Sequence, residues 1–113
     1  MHEMSLVQSV VETIEQAAHT HHFRRVKTVW LEIGELSSVE PEAMVFCFDA
    51  VARNTIVDGA KLEIVSVPGE AWCPHCARTV PIEDLIAQCP DCGACPLDIT
   101  DGRQMRIQEL EVE

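Results

Sequence analysis

Apolar positions near the start of the chain repeat with helical spacing. Val7, Val10 and Ile14 recur at intervals of three and four residues, which places their side chains on one face of a helix. The pattern therefore predicts a first helix from Met4 to about His22.

An alternating pattern follows this helix. Between Val26 and Ile33, bulky apolar residues occupy every second position around Leu31, and Gly34 interrupts the run. A period of two with many β-branched side chains is typical of a strand. We predict a first strand over these eight positions.

A second helical pattern covers residues 38–53. Ser37 and Glu40 have the spacing of a capping box, and Pro41 is tolerated close to a helix start because an N–H there has no intrahelical partner to lose. The predicted buried stripe consists of Met44, Phe48 and Val51.

Two further strands are predicted towards the end of the chain. Leu62 and Ile64 alternate with more polar neighbours in a strand that ends at Pro68, and a last strand covers residues 105–112. The pattern thus gives the order helix, strand, helix, strand, strand.

The segment between the last two predicted strands is rich in cysteine and proline. Residues 68–102 hold five of the six Cys and five of the six Pro. So short a segment cannot bury enough apolar surface to offset its conformational entropy, and it therefore needs a cross-link. We interpret it as an inserted module.

Two C-P-x-C turns indicate the kind of cross-link. Cys73 and Cys76 are separated from Cys89 and Cys92 by twelve residues, so two turns can direct four thiolates at one point. Four sulfur ligands suit tetrahedral Zn²⁺ in a closed structural site, and this is the favoured interpretation. The alternatives are a pair of disulfides, a thioredoxin-like redox pair, and an iron or iron–sulfur site.

Three other residues of ligand type have simpler expected roles. Cys95 adds a fifth thiol, which we expect to be a spectator or an exchange ligand if Cys92 is lost. Cys47 lies within the second predicted helix and is expected to be a small core residue. His75 is expected to face solvent or lie beside the metal rather than bind it.

Composition narrows the possible partners and location. The chain has 113 residues and a formal net charge of −11, from 8 Lys and Arg against 19 Asp and Glu, so it offers no basic face to nucleic acid. No P-loop is present, so a partner would supply any nucleotide energy.

The sequence also limits the possible location. The longest apolar run, residues 43–48, is far too short to cross a membrane, and the first residues lack a secretory pattern. We expect a cytoplasmic protein, where Cys pairs more often bind metal than form disulfides.

The N-terminus carries a second candidate metal site. The α-amine of Met1, the amide nitrogens of His2 and Glu3, and the His2 imidazole can form contiguous chelate rings in one plane. Such a set suits Ni(II) or Cu(II), and its affinity would fall at low pH. The alternative is a chance histidine on a frayed chain end. A cluster at residues 19–22 is expected to be a solvated turn, because no Cys or carboxylate accompanies its histidines at ligand spacing.

These features in combination resemble a known family. The chain opens with Met-His-Glu on an amphipathic helix, continues with V-W-L-E-I-G at residues 29–34, and carries F-C-F-D at residues 46–49 and I-Q-E-L-E at residues 107–111. With the two C-P-x-C turns, this pattern closely resembles the HypA/HybF family of hydrogenase maturation nickel metallochaperones over essentially the whole chain.

The resemblance implies both a fold and two metal sites. The implied fold is α+β, with two helices on a small mixed three-stranded sheet and an inserted zinc-ribbon module. Residues 1–68 and 102–113 would form the nickel domain, and residues 69–101 the zinc domain. Nickel would be held by the His2 imidazole, the Met1 amine, and the amides of His2 and Glu3, with the Glu3 carboxylate and Glu40 near it. The four implied zinc ligands are Cys73, Cys76, Cys89 and Cys92.

The resemblance also implies a non-enzymatic function. Family members act with the GTPase HypB and deliver Ni(II) to the large-subunit precursor of [NiFe]-hydrogenase, and some also serve urease. Two other classes stay open on the residues alone. One is a zinc-ribbon adaptor in which His2 is incidental, and the other is a rubredoxin-like iron electron carrier.

Overall fold

The computed structural model describes residues 2–113. The helices and strands predicted from the pattern are present, and three short strands lie within the cysteine module, where none was predicted. In chain order the elements are α1 (Glu3–His21), β1 (Val26–Gly34), α2 (Pro41–Ala52), β2 (Lys61–Val67), β3 (Glu70–Cys73), β4 (Arg78–Pro81), β5 (Asp98–Asp101) and β6 (Met105–Val112). Neither helix is both long and apolar enough to cross a membrane, as judged over the described residues.

Strands β2, β1 and β6 form one sheet, in that order. The start of β1 lies against the segment that leads into β2, because the Val26 N–H donates to the Ile56 carbonyl over 3.0 Å. Their ends also lie together, because the Glu35 N–H donates to the Val67 carbonyl over 2.9 Å. The two strands therefore run in the same direction, as a helical crossover such as α2 requires.

Strand β6 lies on the other side of β1 and runs in the opposite direction. The end of β6 meets the start of β1, where the Glu113 N–H donates to the Arg25 carbonyl over 2.9 Å. The start of β6 meets the end of β1, where the Gly34 N–H donates to the Gln104 carbonyl over 2.7 Å. The sheet is therefore mixed, and the expected α+β fold with two helices and a three-stranded sheet is confirmed.

Helix α2 begins three residues later than predicted. Glu40 is its N-cap residue in an extended conformation, and no side chain caps the helix. The Ser37 hydroxyl donates instead to the Gly34 carbonyl over 2.7 Å, and Ser38 adopts a left-handed conformation with φ of 57°. The chain therefore turns before the helix, and Pro41 supplies the first helical φ. The predicted capping box is wrong.

The described residues divide into two compact units. The first unit comprises residues 2–31, 39–64 and 107–113, and the second comprises residues 32–38 and 65–106. In the first unit, α1 and α2 each bury one apolar stripe, while β1 is buried along most of its length. The buried residues of the two helical stripes are Val7, Val10, Val11, Ile14, Met44, Cys47, Phe48 and Ala52.

Two phenylalanines on α2 have opposite environments, which gives a stability prediction. Phe48 is 3% exposed and Phe46 is 73% exposed. We expect Phe48→Ala to lower the free energy of unfolding by about 3–5 kcal/mol, because it removes a buried ring and leaves a cavity. Phe46→Ala should change it by no more than about 0.5 kcal/mol. Urea unfolding of both variants measures the difference, and equal losses would contradict it.

The second unit contains a separate three-stranded sheet in the order β4, β3, β5. Strand β3 pairs with both neighbours in antiparallel register, with Ala71 opposite Val80 on one side and Ile99 on the other. Its core is small and includes two cysteines. The buried members are Leu36, Ala71, Cys73, Val80, Ile82 and Cys89.

Candidate metal centres

Four cysteines of the second unit come together in one group. Cys73 ends β3 and Cys76 lies in the turn before β4, while Cys89 and Cys92 lie in the connection between β4 and β5. All four Sγ atoms lie within 4.8 Å of one another. The structure thus brings together the four thiols that the two C-P-x-C turns indicated, and we call them the four-thiol group.

The spacing within the four-thiol group can be compared with a metal site. A tetrahedron with metal–sulfur bonds of about 2.3 Å has sulfur–sulfur edges of about 3.8 Å. The Cys73 and Cys92 Sγ atoms are 3.6 Å apart, and those of Cys76 and Cys89 are 3.9 Å apart. These two distances therefore match the edges of a tetrahedron around an ion of zinc size.

The electrostatics of the group also favour a cation. The pKa of Cys76 is raised to about 12, because its thiol is hydrogen-bonded to the Cys92 sulfur and because burial disfavours the thiolate. In contrast, the pKa of Cys89 is lowered, chiefly because the Cys92 backbone N–H donates to its sulfur. Without a cation the group cannot carry four negative charges, whereas a divalent ion would neutralise two of them and stabilise all four thiolates.

The turns themselves hold the sulfurs in place. The Cys76 backbone N–H lies 3.4 Å from the Cys73 Sγ, so the first turn folds back on its own leading cysteine. In the second turn the Gly93 N–H donates to the Cys89 carbonyl over 2.9 Å, and Gly93 adopts a φ of 76°. Glycine at this position allows the left-handed conformation without a steric cost.

The other ligand-type residues of the sequence analysis lie outside the four-thiol group. Cys95 is exposed, and Cys47 is buried on α2 as expected for a core residue. His75 is exposed. At the end of α1 all three histidines face solvent, and His22 ends the helix in a left-handed conformation, with its N–H donating to the Ala18 carbonyl over 2.8 Å.

The N-terminal candidate site is described in part, because Met1 lies outside the described residues. His2 is the N-cap residue of α1, and 56% of its side chain is exposed. Its Nδ1 lies 3.8 Å from the Glu3 Oε2. Glu3 is buried, and its Oε2 accepts the Glu40 backbone N–H over 3.3 Å. The predicted nickel ligand His2 is therefore accessible, Glu3 lies beside it, and the Glu40 backbone contacts Glu3.

The Glu3 carboxylate is held in its ionised form. Its pKa is lowered, first because the Glu40 N–H donates to it and second because its own backbone N–H does so. Burial opposes this shift. A negative charge therefore stays beside the His2 imidazole at neutral pH, where it favours a bound cation.

These observations define a class of protein. Its members are small α+β proteins with a four-thiol β module and an exposed histidine at the start of the first helix. A family model described as "Hydrogenase/urease nickel incorporation, metallochaperone, hypA" matches residues 1–112. The chain belongs to this family of nickel metallochaperones, and the resemblance noted in the sequence is confirmed.

Individual relatives agree with the family. The chain is 59% identical to Hydrogenase maturation factor HypA of Albidiferax ferrireducens and 57% identical to that of Rhodopseudomonas palustris, over all of both chains in each case. Its structure is similar to the solution structure of the Ni metallochaperone HypA from Helicobacter pylori, with a TM-score of 0.73 and 29% identity. That similarity covers 99% of this chain and 97% of the other.

Proposed function

We propose that this chain binds Ni(II) at its N-terminus and delivers it to the large-subunit precursor of [NiFe]-hydrogenase in the cytoplasm. The observation that carries the proposal is the accessible His2 side chain at the start of α1, in a member of a nickel metallochaperone family. The chain acts as a carrier and not as an enzyme. Nickel is its cargo, and transfer needs no change of oxidation state.

The proposed nickel site uses four nitrogen ligands. These are the α-amine of Met1, the amides of His2 and Glu3, and the His2 imidazole. Neither His2 nor Glu3 is proline, so both amides can lose a proton to the metal, and a planar nitrogen set suits Ni(II). On release, nickel leaves as Ni(II) and the two amide nitrogens regain protons from water. A site on an exposed chain end allows this exchange more readily than a buried one.

The proposed zinc site is structural. Cys73, Cys76, Cys89 and Cys92 would hold Zn²⁺ with no open position, so the ion has no room for substrate. Bound zinc stabilises a module whose core is too small to fold without a cross-link. We assign nickel binding to residues 1–68 and 102–113, and zinc binding to residues 69–101.

The proposed partners follow from what the family does and from what this chain lacks. Its sequence contains no P-loop, so a HypB-type GTPase would supply nucleotide hydrolysis. The family description names urease as well as hydrogenase, and urease maturation proteins are therefore proposed as further partners. Nucleic acid is not a proposed partner, because the net charge of −11 disfavours binding to phosphate.

A nickel titration tests this proposal. Zinc-loaded wild type, His2→Ala and His22→Ala are titrated with Ni(II) against a competing chelator, and the metal content is counted. We expect the wild type to bind about one nickel per chain with the spectrum of planar Ni(II). His2→Ala should lose this nickel, because it lacks the imidazole. His22→Ala is the matched control and should keep it, because His22 is exposed at the other end of α1.

The result can also go against the proposal. Equal nickel binding by wild type and His2→Ala would place the metal elsewhere and would contradict an N-terminal site. Zinc content should be the same in all three proteins, which separates a loss of nickel ligands from a loss of fold.

A further inference from the structure

The outer face of α2 exposes two adjacent apolar side chains. Phe46 is 73% exposed and Val45 is 46% exposed, although the same helix buries Phe48 almost completely. The buried stripe of α2 consists of Met44, Cys47, Phe48 and Ala52, and the outer stripe takes no part in it. An exposed aromatic ring next to a second apolar residue is the kind of feature that anchors a protein interface.

Acidic residues flank this apolar pair along the helix. Glu42 and Asp49 are exposed and lie four residues before and three residues after Phe46. Positions separated by three, four and seven residues share one face of an α-helix, so the four side chains form a single stripe. We call Glu42, Val45, Phe46 and Asp49 the α2 patch.

The α2 patch belongs to the same unit as the N-terminal candidate site, and its helix begins at that site. The start of α2 contacts the start of α1, because the Glu40 N–H donates to the Glu3 Oε2 over 3.3 Å. Phe46 is six residues beyond Glu40, which corresponds to about 9 Å along the helix axis. A protein bound at Phe46 therefore needs to extend only about 9 Å along α2 to come level with the contact between Glu40 and Glu3.

We propose that the α2 patch docks the protein that receives nickel from this chain, through an apolar pocket that takes the Phe46 ring and a rim of Lys and Arg that faces Glu42 and Asp49. This inference rests on the proposed function. It adds the surface by which the acceptor is held while nickel passes from the N-terminus. The pocket supplies affinity, and the basic rim raises the association rate and sets orientation.

Charge distinguishes this occupant from three others. A second copy of the chain carries the same net charge of −11, and a symmetric contact on the α2 patch would bring its acids together. An anionic membrane or nucleic acid would be repelled in the same way. A protein with a basic rim is therefore the favoured occupant of an apolar patch bordered by two carboxylates.

The test compares Phe46→Ala with Ile86→Ala, both as zinc-loaded full-length chains. Ile86 is 94% exposed and lies in the second unit, so its replacement is a matched removal of an exposed apolar side chain. The probe is purified [NiFe]-hydrogenase large-subunit precursor, with affinity and nickel transfer rate measured for each nickel-loaded protein. We expect Phe46→Ala to weaken binding about 30-fold and slow transfer accordingly, as for the loss of an interface hot spot. Ile86→Ala should stay within about twofold of wild type.

A charge variant tests the rim independently. Glu42→Gln combined with Asp49→Asn keeps the size of both side chains and removes both charges. We expect a lower association rate at low salt and a weaker dependence of that rate on ionic strength. An association rate and salt dependence equal to those of wild type would overturn the charged rim.

The possible negative results distinguish a wrong docking inference from a wrong proposed function. If wild type binds nickel through His2 but Phe46→Ala binds the precursor and transfers nickel as wild type does, the docking inference is wrong and the proposed function stands. Equal weakening by Phe46→Ala and Ile86→Ala would also overturn it, because the effect would not be specific to α2. If wild type itself fails to bind nickel at the N-terminus, the proposed function fails first and the docking inference falls with it.

Discussion

Cys73→Ser should leave the chain without zinc and with residues 69–101 unfolded. Cys73 and Cys89 are two of the six buried members of the second unit's core, so the proposed ligands and the core are partly the same residues. Serine is a poor replacement because Zn²⁺ in such sites prefers thiolate sulfur. Structural zinc sites contribute about 10–16 kcal/mol of apparent binding free energy at neutral pH, more than so small a core can replace. Zinc counting and amide NMR spectra measure the two losses.

Cys95→Ser is the matched control for this prediction. Cys95 is exposed and lies outside the four-thiol group, only three residues after Cys92. Cys95→Ser should retain zinc and give the amide NMR spectrum of the wild type. A Cys73→Ser protein that keeps its zinc, or a Cys95→Ser protein that loses it, would show that the ligand set differs from the one proposed. Treatment of wild type with a strong zinc chelator should reproduce the Cys73→Ser spectrum.

Gly34→Ala should destabilise the protein more than any other Gly→Ala substitution in the chain. A Cβ at Gly34 would lie 2.0 Å from the Gly102 carbonyl oxygen, far inside any allowed contact. That oxygen cannot move freely, because it accepts the Leu36 N–H over 2.8 Å. Gly34 is also fixed, through its own bond to Gln104. We expect a loss of at least about 4 kcal/mol in the free energy of unfolding, measured by urea titration.

Gly59→Ala is the control for this prediction, because it introduces backbone strain without a steric clash. Gly59 has a φ of 78°, and a Cβ there would meet nothing within 4 Å. Gly59→Ala should therefore lower the free energy of unfolding by only about 1–2 kcal/mol, which is the cost of holding alanine in the left-handed conformation. Similar losses for the two variants would mean that the backbone around Gly102 moves to accept the added methyl group, and the close approach of Gly34 to Gly102 would not limit stability.

The sequence pattern was sufficient for the elements whose signals are local. Helix α1 begins at Glu3, one residue from its predicted start, because its apolar stripe repeats without interruption. The start of α2 was misplaced, because the turn at Ser37 and Ser38 depends on where β1 ends and not on capping spacing. Strands β3, β4 and β5 have about four residues each, too few for an alternating pattern to indicate.

Each candidate site also combines a part that local sequence indicates with a part that depends on the fold. A C-P-x-C turn is local, so the pairing of Cys73 with Cys76 could be read from spacing, whereas their distance to Cys89 and Cys92 depends on the fold. The contact between Glu3 and Glu40 joins residues 37 positions apart, and no sequence period indicates it. The exposure of Phe46 was missed, although its helical phase relative to Phe48 and Met44 contained that information.

The position at which α1 begins has a consequence for the energetics of metal loading. Within residues 2–113, the first helical hydrogen bond runs from the Leu6 N–H to the His2 carbonyl, and the amides of His2 and Glu3 precede it. A metal that replaces the amide protons of His2 and Glu3 therefore breaks no helical bond. The Glu3 carboxylate loses the donor on its own residue but keeps the Glu40 N–H. At the proposed N-terminal site, loading and unloading would thus break no helical hydrogen bond, and the cargo would come and go without partial unfolding of its carrier.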